Sequence, residues 1–195
     1  LLSIGDSLME QGLYNKALDI YEKVIREFAN DDSGATTKAQ FNIAKAYMKM
    51  GDYRNAIQVF LKARWKYCSD QRRAEIEYQI GNCLYLLNEY QDASNVLGNY
   101  LVNEEEGEFG ENAIFLLGDC FYKLDNYLGA FQIFRKATER YSKSNKVPGG
   151  IYCMGKSLRA MNMPESAIKI LREGLQAFPV DDSAGKLVFE LGMCC

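Results

Sequence analysis

The chain has 195 residues, no histidine, 48% apolar residues and a formal net charge of −3. That apolar share is ordinary for a folded chain, and the acidic balance argues against a nucleic-acid partner, whose binders are usually basic. No stretch approaches the ~18 uninterrupted apolar residues of a membrane helix, so no membrane insertion is expected of these residues.

The predicted elements recur along the chain as helix pairs. A first helix passes through Gly5, with Ile4 before it and Leu8 after it, and stops at Gly12; a second opens at Tyr14, holds Ala17 and Tyr21, and ends at Phe28. The order returns with Ala44, Gly51, Tyr53, Ala56, Phe60 and Tyr67, and then with Gly81, Asn88, Tyr90, Ala93 and Leu97. A fourth copy has Gly118, Asp125, Tyr127, Ala130, Phe134 and Tyr141, and a fifth has Gly155, Asn162, Pro164, Ala167, Leu171 and Phe178. Gly192 starts a sixth, partial copy, and the small residues follow one another at steps of 39, 37, 37, 37 and 37.

Each residue type has a physical reason to sit where it does. Apolar groups at three- and four-residue steps make one helix face. Gly, Asn and Asp tolerate the left-handed conformation that closes a helix, and Pro is welcome in a first turn. The small residue of each first helix is expected to face the alanine of its second helix, where a larger group would push the axes apart. One pair cannot bury its apolar face, so pairs stack and share a core. The expectation is an all-α solenoid of five helix pairs plus a final unpaired helix. Its repeats lie near 1–33, 34–70, 71–107, 108–144 and 145–181, with a partial copy at 182–195, and residues 1–195 form a single continuous domain. The chain begins without methionine inside one helix and ends inside another, which predicts a fragment of a longer protein.

On these residues the pattern resembles the tetratricopeptide repeat family: a small residue after an aliphatic one, an aromatic or leucine three on, then alanine, a large apolar residue and a closing aromatic. The resemblance implies a right-handed α-α superhelix. The family's early tryptophan is replaced by Gln40, Glu77, Ile114, Ile151 and Val188, and only Pro179 supplies its closing proline. The long period is similar to that of bacterial cell-envelope members such as the protein that binds TolA during cell division.

Several local features have bland explanations. Lys62, Arg64, Lys66, Arg72 and Arg73 make a basic cluster at a helix end, and Glu104, Glu105, Glu106 and Glu108 an acidic loop; both read as solvated surface. Cys83, Cys120 and Cys194 fall at one repeat position, too far apart along a stack to bridge. With no CxxC pair and no histidine, no metal site is expected, and the cysteines read as small buried thiols. Unpaired thiols lean towards the cytoplasm, against the periplasm that the envelope resemblance would imply.

Residues Gly150 to Ser157 satisfy the phosphate-loop pattern GxxxxGK[ST]. Such a loop must follow a strand and offer free backbone N–H groups, whereas Gly155 sits in helical repeat position, so neither nucleotide nor other cofactor is expected. Without histidine the usual Ser–His and Cys–His activation is missing. The chain reads as a non-catalytic protein–protein interaction scaffold.

First helices line the concave side of such a stack. One lane there holds Asp6, Lys45, Asn82, Asp119, Lys156 and Met193, and another Ser3, Asn42, Gln79, Leu116, Cys153 and Glu190. Aromatics border them in a ladder of Phe41, Tyr78, Phe115, Tyr152 and Phe189, with Tyr85, Tyr122 and Arg159 on the other side. The candidate partner site is therefore Asn42, Lys45, Tyr78, Asn82, Tyr85, Phe115, Asp119, Tyr122, Tyr152, Lys156 and Arg159, suited to a peptide or helix held by stacking and hydrogen bonds. Residues at that edge, the phenylalanines above all, also pack between neighbouring first helices and can be core instead. The alternative function is a structural assembly protein that self-associates end to end through its terminal repeats, with Val188, Leu191 and Cys195 forming an apolar end.

Overall fold

A computed structural model describes residues 1–29, 34–64, 70–104, 106–179 and 184–194, without the side chains of residues 70 and 71. Tyr67, Lys66, Glu105 and Cys195 therefore lie outside the described residues. Eleven helices and no strand are found among the described residues: α1 (Leu2–Glu10), α2 (Tyr14–Glu27), α3 (Ala35–Lys49), α4 (Tyr53–Arg64), α5 (Asp70–Leu86), α6 (Tyr90–Glu104), α7 (Gly110–Lys123), α8 (Tyr127–Arg140), α9 (Val147–Ala160), α10 (Pro164–Ala177) and α11 (Ala184–Met193). They gather into two compact units, Leu1–Glu89 and Tyr90–Cys195. The first contains α1 to α5 and the second α6 to α11.

Each first helix stops where its sequence says it should. Gly12 and Gly51 take φ of 74° and 79°, and Asn88, Asp125 and Asn162 take 61°, 57° and 60°. The chain reverses there through one repeated bond: the amides of Leu13, Asp52, Glu89, Asn126 and Met163 donate to the carbonyls of Leu8, Tyr47, Leu84, Phe121 and Leu158 at 2.9 Å. This six-to-one closure leaves few carbonyls orphaned at the helix end. The second helix starts at once, on Tyr14, Tyr53, Tyr90, Tyr127 or Pro164.

All five repeat alanines, Ala17, Ala56, Ala93, Ala130 and Ala167, are 0% exposed. The small residue of the first helix, however, is matched to a different partner from the one expected. A methyl built on Gly5 meets the ring of Tyr21, one on Gly118 the ring of Phe134, and one on Gly155 the side chain of Leu171. The glycine thus makes room for the large residue four positions beyond the alanine, and the alanine lets the rest of the second helix approach.

Core packing in each unit follows from this. Tyr21 and Val24 pack with Ala39 and Ile43 in the first unit, and Phe134 and Ala137 with Ile114, Phe115 and Met154 in the second. On α11, Leu187 and Glu190 are buried, while Val188, Phe189 and Met193 are 57%, 65% and 53% exposed. Among the described residues no helix is long and apolar enough to cross a membrane.

Candidate functional site

In the first unit the candidate residues stand on α3 and α5. Asn42 donates from Nδ2 to Asp6 Oδ1 at 2.7 Å, and the Tyr21 hydroxyl donates to the same oxygen at 2.7 Å. Burial, reinforced by Asp6, pushes the Tyr21 phenol well above its usual range. Lys45 Nζ lies 3.2 Å from Glu75 Oε1 on α5 and 4.8 Å from the Phe41 ring centroid. Phe41, 2% exposed, is core: its ring meets that of Phe60 at 5.7 Å. Tyr78, Asn82 and Tyr85 stay half-buried along α5, and burial alone raises the Tyr78 phenol. Within the basic cluster Arg64 and Arg73 share the carboxylate of Glu77, at 2.8 and 3.7 Å.

In the second unit the wall is made by α7, α9 and α11. Phe115 has to be removed from the candidate partner site. It is 8% exposed, lies 6.5 Å from the Phe134 ring, and its Cε1 would be 2.9 Å from a methyl built on Gly150. A ring wedged between two first helices is a packing group, which is the alternative its edge position allowed. Asp119, Tyr122, Tyr152 and Lys156 remain on the half-buried surface. Tyr122 is steadied edge-on by Tyr127 at 5.4 Å. Lys156 Nζ stands 4.5 Å from the Tyr122 centroid and 5.4 Å from that of Tyr152, within cation–π range of both. Burial raises the Asp119 carboxyl above its ordinary range, opposed by Lys123 and Lys156.

Arg159 is committed inside the chain. Its Nε donates to Glu190 Oε1 at 2.6 Å, and that carboxylate is almost wholly buried. The sequence pattern passes over Glu75 and places Glu190 in a wall lane without showing that it pairs with Arg159. A signal for them exists, since each pair joins a cation to a carboxylate about one repeat later, 30 residues on for Lys45 and 31 for Arg159.

The phosphate-loop pattern lies within α9. Gly150 N already donates to Lys146 O at 2.9 Å, and Ser157 Oγ to Cys153 O at 2.8 Å. A helix with its amides so engaged cannot wrap a phosphate. Among the described residues no group of three metal-ligating side chains is found, and Cys83, Cys120, Cys153 and Cys194 are not joined in disulfides.

Two family models match the chain: the anaphase-promoting complex, cyclosome, subunit 3 model over residues 10–100, and the tetratricopeptide repeat model over residues 112–144. Outer dynein arm-docking complex subunit 4 of Danio rerio is 29% identical over 144 residues, covering 70% of this chain and 29% of its own length. The chain thus spans less than a third of that relative. Among solved structures, MamA superposes with a TM-score of 0.76 at 19% identity, over 91% of this chain and 90% of that one. YrrB, described as a TPR protein with an unusual peptide-binding site, gives 0.73 at 20% identity, over 96% and 88%.

Proposed function

The chain belongs to the tetratricopeptide repeat family, and from that membership we propose a non-catalytic scaffold that holds a partner peptide or helix on the wall of its first helices. The observation that carries this reading is the half-buried row of Tyr122, Tyr152 and Lys156 on α7 and α9. Rings left at the surface beside donors make large, rigid contact area at small entropic cost. Tyr78, Asn82 and Tyr85 give α5 a similar face. Asn42, Lys45 and Arg159 are held by carboxylates of the chain itself, so their part is to shape the wall. A relative that is a docking-complex subunit and a structural neighbour with a peptide-binding site agree with a scaffold role.

The test is a comparative pull-down. Wild type and a Tyr78→Ala/Tyr122→Ala double variant are immobilised at equal, verified fold content. Partners retained by the wild type and lost by the variant support the reading; equal retention contradicts it. End-to-end assembly is the second reading, favoured by the exposed Val188, Phe189 and Met193 on α11. Sedimentation showing a concentration-dependent oligomer that Phe189→Ser dissolves would favour it.

A further inference from the structure

Lys156 differs from Lys45 and Arg159. Lys45 has Glu75 and Arg159 has Glu190, whereas Lys156 makes no ion pair with a described carboxylate and rests over two tyrosine rings. An aromatic face holds an ammonium in place electrostatically but leaves its N–H donors without a true acceptor. Lys123 and Lys186 look onto the same surface: Lys123 acts with Lys156 on Asp119, and Lys186 acts with Lys156 on Cys153. Against these three lysines stands Asp119, because Glu190 is spent on Arg159. In a chain of net charge −3, the wall of α7, α9 and α11 is thus locally positive.

We propose that this wall takes an acidic peptide segment, one side-chain carboxylate of which docks on Lys156 between the rings of Tyr122 and Tyr152. The proposal rests on the scaffold reading above and adds the partner's charge and its anchor. The half-buried rings exclude water around the ammonium, so an arriving carboxylate gains a charge-assisted hydrogen bond in a medium of low dielectric. Lys123 and Lys186 are more exposed; they draw acidic flanking residues and speed encounter more than they fix the complex. The tyrosine rings offer faces to the apolar residues beside the acid.

The probe is a phage-displayed library of short random peptides, selected on the immobilised full chain and then on its Lys156→Glu variant. Wild type should recover peptides with an excess of Asp and Glu, and the variant should lose that excess. For a synthesised winner, Lys156→Met should weaken binding about tenfold while helix content stays unchanged, because the apolar stem still covers the rings. Replacing the winner's Glu or Asp by Gln or Asn should cost as much, and amidating its C-terminus should cost nothing. Loss on amidation alone would reassign the anion to a chain terminus and overturn the side-chain proposal. Winners that are neutral or basic, yet lose binding with Tyr122→Ala, overturn the acidic anchor and leave the scaffold reading standing. Winners indifferent to both Tyr122→Ala and Lys156→Met defeat the wall itself.

Discussion

The ring of Phe134 lies on the bare backbone of Gly118: a methyl built on that glycine would stand 2.8 Å from ring carbons Cε1 and Cζ. The same relation links Gly5 to Tyr21 and Gly155 to Leu171, sixteen residues apart each time, so it is a rule of the repeat. Gly118→Ala should therefore cost about 1–3 kcal/mol, the usual penalty of overpacking. Gly192, the sixth copy, has nothing within 4 Å of a built methyl. There the same change should stabilise by up to about 1 kcal/mol through helix propensity. Urea unfolding of the two variants checks the opposite signs.

Ala130 tests the other half of that packing. It is 0% exposed, and Ala130→Leu should destabilise by about 1–3 kcal/mol by forcing α7 and α8 apart. An unchanged urea midpoint would refute the close approach of that pair.

Glu190 depends on Arg159. The carboxylate is 1% exposed and bonded at 2.6 Å, while the arginine is partly open to solvent. Arg159→Met leaves a buried charge with its main partner gone and should cost about 1–3 kcal/mol. Adding Glu190→Gln should recover part of that loss, which a double-mutant cycle by thermal or urea unfolding measures.

Alkali should weaken the fold through its thiols. Burial pushes Cys83, Cys120 and Cys153 from 9.0 up to about 12, so the native state holds these protons more tightly than the unfolded chain. The stabilisation is complete below pH 9 and is lost as pH rises from there towards 12. Urea midpoints should stay level near neutral pH and fall above pH 9, with a shallower fall in Cys120→Ala. Alkylation of native protein at pH 8 should be slow at Cys83 and Cys120, both 0% exposed.

Much of the fold was legible in the sequence because it depends on local rules. Asn88, Asp125 and Asn162 announce a positive φ, and the tyrosines at Tyr14, Tyr53, Tyr90 and Tyr127 mark helix starts. Which groups face each other across a pair was less legible: Ala17 and Tyr21 share one face, and only packing shows that Gly5 serves the ring. The ladder of aromatics divides by what packs over each ring, Phe189 on α11 being 65% exposed. Phe41 and Phe115 sink into the core, while Tyr78 and Tyr152 keep their hydroxyl-bearing rings half-buried. A single helix wheel also hides the ties of Lys45 to Glu75 and Arg159 to Glu190, since both run between neighbouring first helices.

The most direct measurement of the scaffold reading is site-specific photo-cross-linking. A photoreactive phenylalanine is placed at Tyr122, on the α7 wall, and in a second protein at Gln132, exposed on the second helix α8. Each is irradiated with the partner recovered by the wild-type pull-down. Adducts at position 122 with none at 132 are the predicted result; adducts at 132 alone would place the partner on the opposite helix layer and contradict the account.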